Sequence, residues 1–183
     1  MEKYKARFVA RGFSKKEGID YKETFAPVAR YTSIRAILSI VVVKKWKLHQ
    51  MDVKTVFLNG VVEEEVYVEQ PLRFETHDRQ THVCRLNKAL YGLKQAPRTW
   101  YGRIDGFMMS FGFTKSKADS NLYFKVVEDG LVILLLYVVD LFLTGNEGLI
   151  VQCKRELSKE FEMKDMGPLY QNLYLGQVVP SGF

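Results

Sequence analysis

The chain has 183 residues, a formal net charge of +6 and a pI near 9.2, and 47% of its residues are hydrophobic. Together with 26% charged residues, this composition excludes an intrinsically disordered chain and suits one buried core or two lobes that share it. The positive charge favours an anionic partner such as nucleic acid. The two cysteines provide no disulfide framework and the basic N-terminus lacks the apolar stretch of a signal peptide, so we expect an intracellular protein that is not secreted.

Basic and apolar residues alternate near the N-terminus, over residues 3–11. This period of two predicts a β-strand with Lys5, Arg7 and Arg11 at or near its solvent side. A solvent-exposed edge strand, whose charged side chains prevent pairing with other chains, explains the pattern more simply than a basic segment that contacts phosphates. Residues 25–28 then read as an extended connector.

The remaining periodicity predicts elements in the order helix, strand, loop, strand, helix, strands, helix. Thr32 or Ser33 is expected to cap the first helix, Pro97 to lie in the first turn of the second helix, which ends near Gly112, and Asn146 to cap the third. This order indicates an α+β fold, with a mixed, mainly antiparallel sheet and helices packed on one face. Strands are predicted at residues 48–53, 66–68, 83–86 and 121–127.

Residues 131–144 form the most apolar run of the chain, and Asp140 is its one charged residue. The run is too short to span a membrane, and it predicts two buried strands joined by a tight turn at residues 138–140. A second carboxylate, Asp52, ends the strand at 48–53, where a turn or capping role is the ordinary explanation. Two carboxylates brought together in a basic protein would instead bind a divalent metal for phosphoryl transfer or phosphodiester cleavage.

Six blocks of sequence in a fixed order carry the most specific signal, although any one of them alone would be weak. The blocks are KARFVARGF (5–13), TFAPV (24–28), QMDVKTVFLNG (50–60), LYGLKQAPRTW (90–100), YVVDL (137–141) and FEMKDMG (161–167). Together they resemble the reverse transcriptase of copia-type LTR retrotransposons over about residues 3–167.

The resemblance implies a right-hand polymerase with fingers and palm. Residues 1–46 would hold part of the fingers and the first palm helix, residues 47–166 the palm with inserted fingers segments, and residues 167–183 the palm end and the start of the primer grip. The thumb and ribonuclease H are expected to be absent. The implied activity is RNA-directed DNA polymerisation, in which dNTPs are added to a primer 3′-OH on an RNA or DNA template with two Mg²⁺ ions, or Mn²⁺, as cofactor. The implied partners are the template–primer duplex and dNTP, in a cytoplasmic particle or the nucleus; no membrane partner is expected, and the oligomeric state stays open.

The resemblance also implies roles for single residues. Asp52 and Asp140 match the catalytic, metal-binding aspartates, and the backbone carbonyl of Val53 is expected to contribute to the same metal site. Tyr137 and Val138 belong to the Tyr-x-Asp-Asp turn of the family. Phe57 matches the aromatic residue that excludes a ribose 2′-OH. The residues that match nucleotide-binding positions of the family are Arg7, Lys54, Thr55, Val56, Phe57, Gln95 and Lys164.

Val139 stands where the family has the first aspartate of that turn, a direct metal ligand. Valine has no ligand oxygen, and losing several kcal/mol of transition-state stabilisation slows a reaction by roughly a thousandfold. We therefore expect a strongly impaired polymerase. A non-catalytic palm that binds nucleic acid is the alternative, and an unrelated metal-dependent phosphodiesterase is the third hypothesis. Val56, where the family prefers alanine, is expected to add bulk beside the nucleotide while keeping its backbone N–H.

Overall fold

The structure, a computed structural model, describes residues 7–19, 21, 23–25, 27–62, 64–78, 80–128 and 130–169. In this part of the chain, the helices are α1 (Tyr31–Lys44), α2 (Ala96–Ser110) and α3 (Glu147–Glu160), with 3-10 helices at Gly12–Ser14 and Val56–Asn59. The strands are β1 (Leu48–Val53), β2 (Tyr67–Glu69), β3 (Val83–Arg85), β4 (Thr114–Lys115), β5 (Leu122–Val127), β6 (Gly130–Tyr137), β7 (Asp140–Gly145) and β8 (Met163–Pro168).

One large sheet has the strand order β4-β5-β6-β7-β1-β8, and β2 pairs with β3 in a separate small sheet. All the strand pairs within the described residues are antiparallel. The predicted α+β class is therefore confirmed, whereas the large sheet is antiparallel throughout rather than mixed. None of the helices in these residues is long and apolar enough to cross a membrane.

Different helices cover the two faces of the large sheet, so the prediction that the helices share one face is wrong. Helices α2 and α3 pack on the face that carries Leu134 and Leu141. Helix α1 packs through Ile37 and Val41 against a second cluster that includes Ile133. Successive side chains of a strand point to opposite faces, so the neighbours Ile133 and Leu134 face different helices. The unbroken apolar run of β6 is explained by burial on both sides.

The N-terminal segment differs from the predicted strand. Residues 7–11 are irregular, and residues 3–6 lie outside the described part of the chain. The backbone N–H of Ala10 donates to the Tyr91 carbonyl over 2.7 Å. A Cβ added at Gly12 would lie 1.8 Å from the Gly92 carbonyl oxygen, so only glycine allows this close approach. The segment is held against a loop, and alternating sequence did not distinguish that arrangement from a strand.

Two of the three predicted helix starts are confirmed. Pro97 lies in the first turn of α2, and the Asn146 side chain accepts a hydrogen bond from the Leu149 N–H over 3.2 Å at the start of α3. Helix α1 begins after Arg30 without a capping side chain of its own, so the expected cap at Thr32 or Ser33 is wrong. The distant Asp119 instead accepts from the Arg30 N–H over 2.9 Å.

Candidate active site

Asp52 and Asp140 are direct register partners on the neighbouring antiparallel strands β1 and β7. The Val53 N–H donates to the Val139 carbonyl over 3.1 Å, just beyond this pair. That pattern makes Asp52 and Asp140 a non-hydrogen-bonded pair, the kind in which facing side chains approach most closely. Both side chains are half-buried on one face of the sheet.

Two more of the expected site residues continue this row across the sheet. Lys164 of β8 is the register partner of Asp52, and Tyr137 of β6 is the register partner of Asp140. Since directly opposed residues share a face, the four side chains lie side by side. We call Lys164, Asp52, Asp140 and Tyr137 the acid row.

The charge state of Asp140 reflects its surroundings. Burial, and to a smaller degree the negative charge of Asp52, raise the pKa of the Asp140 carboxyl above its usual range. The Gln50 amide opposes this shift in pKa because its Nε2 donates to Asp140 Oδ1 over 2.9 Å. A cation between the two carboxylates would relieve the same repulsion, and carboxylate oxygens are the ligands that Mg²⁺ and Mn²⁺ prefer. The donor set therefore fits a divalent cation.

A two-residue turn, Val138 and Val139, joins β6 to β7. Val138 has a φ of +55°, which is typical of the first position of a type II′ turn and normally favours glycine. A β-branched residue held there costs about 1–3 kcal/mol. The Val138 N–H donates to the Pro27 carbonyl over 2.7 Å, and the Trp100 indole N–H donates to the Val138 carbonyl over 3.0 Å. These two bonds hold the strained turn, and thus Asp140, in place.

Val139 packs against the main hydrophobic core and is half-buried. Within the described residues, no group of three or more His, Cys, Asp or Glu side chains could hold a metal ion. The site therefore has two carboxylates where the sequence motif leads one to expect three. The side chain of Val53 is buried in the same core, with 3% of its surface exposed, so only its backbone is available to a site.

Arg7 and Phe57, two of the expected nucleotide-binding residues, meet through a third residue. The Phe57 ring lies edge-on to Tyr91 with the ring centroids 5.0 Å apart. The Arg7 guanidinium carbon lies 5.4 Å from the Tyr91 ring centroid, a cation–π contact. Sequence reasoning assigned no role to Tyr91, although it lies inside the LYGLKQAPRTW block.

The short segment after Asp52 orients its side chains in different directions. Lys54 Nζ forms an ion pair with Glu162 over 2.8 Å, and Thr55 is exposed with a φ of +50°. Val56 is 1% exposed and belongs to the main core. Its bulk therefore fills the core, which corrects the expectation that the side chain adds bulk beside a nucleotide.

Gln95 precedes α2 and is 2% exposed. Its Oε1 finds no hydrogen-bond partner among the residues that the structure describes. Buried amide oxygens are normally paired, so this atom is a candidate contact for a ligand or an ordered water. Its assignment to nucleotide binding remains a prediction.

Comparison with known proteins identifies the family. A model of the reverse transcriptase (RNA-dependent DNA polymerase) family matches residues 1–180. The chain belongs to this reverse transcriptase family. It is 51% identical over 173 residues to the retrovirus-related Pol polyprotein from transposon TNT 1-94 of Nicotiana tabacum, covering 93% of this chain and 13% of the relative. It is also 40% identical over 184 residues to the Pol polyprotein from transposon RE1 of Arabidopsis thaliana, covering 100% of this chain and 13% of that protein.

A shorter match is the putative transposon Ty5-1 protein YCL074W of Saccharomyces cerevisiae, 37% identical over 118 residues, which are 64% of this chain and 38% of that protein. No solved structure matches the chain. The resemblance to copia-type reverse transcriptases is thereby confirmed. The chain spans 13% of the length of the plant Pol polyproteins.

Three contacts in this site were missed by sequence reasoning. Gln50 binds Asp140, Tyr91 joins Arg7 to Phe57, and Trp100 holds the turn. Only Gln50 left a usable signal, because it lies two residues before Asp52 on a predicted strand and must share its face.

Proposed function

We propose that this chain is the fingers-and-palm part of a retrotransposon reverse transcriptase and that its polymerase activity is strongly impaired. The observation that carries the proposal is the direct opposition of Asp52 and Asp140 on one sheet face. In a member of the reverse transcriptase family, such a pair would bind the metal ions that assist the joining of a dNTP to a primer 3′-OH. The proposed partners are an RNA or DNA template–primer duplex and dNTP.

Asp52 and Asp140 would hold Mg²⁺, or Mn²⁺, through their carboxylate oxygens, with the Val53 carbonyl beside them. The cations, when bound, would lower the charge on the reacting phosphate and stabilise the attacking and leaving oxygens. Lys164, beside Asp52 in the acid row, adds a positive charge where phosphate or pyrophosphate would lie. Arg7 over Tyr91 is a second cation for the triphosphate, and the Phe57 ring would exclude a ribose 2′-OH.

The proposed domain layout follows the family. Residues 1–46 supply part of the fingers and the first palm helix, residues 47–166 the palm with inserted fingers segments, and residues 167–183 the palm end and the start of the primer grip. Helix α1, the acid row and the hairpin of β6 and β7 all lie within the first two of these ranges. An intracellular location, in a particle or the nucleus, remains a prediction.

Val139 supports the proposed impairment. Its hydrocarbon side chain packs on the core next to Asp140, at the position where the family motif has a carboxylate. With one ligand missing, we expect the chemical step to slow by roughly a thousandfold or more.

The test is primer extension on an RNA template, comparing the unaltered chain with Val139→Asp. We expect extension to rise by about a thousandfold in the variant. Val126→Asp is the matched control, since Val126 is 69% exposed on β5, away from the turn. Adding Asp52→Asn to Val139→Asp should abolish the gain. Normal extension by the unaltered chain would refute the impairment.

A non-catalytic palm that binds nucleic acid is the second candidate, and the presence of only two carboxylates in the row favours it. If Val139→Asp extends no primer, duplex binding decides between this candidate and simple loss of function. A binding constant that falls steeply as salt rises indicates contacts with phosphates.

A further inference from the structure

Gln50 lies on the same face of β1 as Asp52, because the two residues are two positions apart on one strand. Its register partner on β7 is Phe142, which places Gln50 diagonally from Asp140. Phe142 packs with the cluster under α1. Gln50 is therefore the polar residue between the acid row and the apolar part of this face, and its amide reaches towards the acids.

The amide reaches a position that suits a cation ligand. Gln50 Nε2 lies 2.9 Å from Asp140 Oδ1. In an octahedral magnesium site with bonds of about 2.1 Å, neighbouring ligand oxygens are about 3.0 Å apart. The amide carries an oxygen and a nitrogen on the same carbon, and a half-turn of the terminal group exchanges them. After that rotation, Oε1 would occupy the present position of Nε2.

We propose that Gln50 is a third cation ligand of this site and gives its amide oxygen where position 139 gives none. Without a cation the amide donates to Asp140, since an N–H then satisfies the carboxylate. With a cation between Asp52 and Asp140 the oxygen faces inward. The inference rests on the cation site of the proposed function, and it adds a neutral ligand to two charged ones.

A role limited to orienting Asp140 makes the opposite prediction for one variant. Gln50→Glu adds a charged oxygen at the same reach and removes the donor. A ligand role predicts tighter cation binding, because affinity rises with the number of charged oxygen ligands. An orienting role predicts weaker binding, because a carboxylate would repel Asp140.

The experiment measures Mn²⁺ affinity of the whole chain by electron paramagnetic resonance. Gln50→Met keeps the length of the side chain but offers only a soft thioether, so we expect affinity to fall roughly tenfold. We expect Gln50→Glu to raise affinity roughly tenfold. Gln152→Met and Gln152→Glu, on the exposed surface of α3, are matched controls and should change nothing.

Unchanged affinity in Gln50→Met, or weaker binding in Gln50→Glu, overturns the inference. So does Mn²⁺ binding that is insensitive to Asp52→Asn, since the ligand set would then lie elsewhere. Primer extension by Val139→Asp reports separately on the proposed function. If that variant extends primers while Gln50→Met binds Mn²⁺ normally, the function stands and the role of Gln50 fails.

Discussion

The two ends of one sheet face differ in almost every physical respect. At the end formed by the acid row, two carboxylates oppose each other and Val138 holds an unfavourable backbone conformation. At the other end, Ile37 and Val41 of α1 cover Leu48 and Ile133 in an apolar cluster. Charge repulsion and backbone strain at the first end destabilise the fold, whereas burial of apolar side chains at the second end stabilises it. Sites of chemistry commonly carry such strain, which persists because the surrounding structure is stable.

The comparison predicts that shortening a buried side chain at the apolar end lowers the free energy of unfolding. Substitutions that remove backbone strain or charge repulsion at the acid end should raise it. Residues 27–30 connect the two ends: Pro27 accepts from the Val138 N–H, and α1 begins after Arg30.

Ile133→Ala should lower the free energy of unfolding by about 3 kcal/mol, because it removes buried methyl groups and leaves a cavity under α1. Urea denaturation monitored by circular dichroism measures the change. Val126→Ala, at an exposed position of the neighbouring strand, should change stability by less than about 0.5 kcal/mol. A loss of similar size at both positions would show that α1 does not pack on this end.

Asp119→Asn should cost about 2 kcal/mol, because it weakens charged hydrogen bonds at a buried position. Burial raises the pKa of Asp119, but hydrogen bonds from Ser33, the Arg30 N–H and Asn121 outweigh it, and the net pKa is lowered. The stabilisation is thus present above the ordinary carboxyl pKa of 3.8 and is lost as pH falls through the lower folded value.

Urea titrations at several pH values measure this dependence. In Asp119→Asn, the free energy of unfolding should fall less steeply at acidic pH than it does in the unaltered chain. Asp78→Asn, on an exposed loop, is the control and should keep the decline. An identical acid profile for the Asp119 variant would contradict the assignment.

Val138→Gly should raise stability by about 1 kcal/mol, because glycine adopts the positive φ without steric cost and its greater unfolded-state entropy offsets part of the gain. Thermal unfolding measures the difference. The same substitution at Val126, an extended strand position, should lower stability instead. A loss of stability in both variants would show that the turn carries no strain.

Asp140→Asn should raise stability at neutral pH by about 0.5 kcal/mol, because it removes one of two like charges facing each other. The pKa of Asp140 is raised by burial and by Asp52, so the unaltered chain loses stability as pH rises from 3.8 through the folded value. The variant should lack that decline. Asp52→Asn removes the same repulsion and should also raise stability at neutral pH.

Local pattern was sufficient for much of the fold. The apolar run 131–144 gave the central hairpin with its turn at the expected place, and helical spacing gave α1, α2 and α3. Strand β8 was missed because it contains Gly167 and Pro168, residues that weaken a strand pattern and are tolerated at an edge. The N-terminal strand prediction is wrong for residues 7–11, which are irregular, because period-two alternation also occurs in segments that do not join a sheet.

The site residues, like the fold, were predicted from the sequence only in part. Asp52, Asp140 and the departure at Val139 could be read from the sequence, since ordered motif blocks identify the family without any coordinates. Register decided that Asp140 faces Asp52, that Lys164 lies beside them and that Gln50 reaches Asp140. The sequence determined which positions of each element are apolar, because that depends on spacing along one segment. Only the tertiary structure decided which segments face each other, because those contacts join residues far apart in the chain.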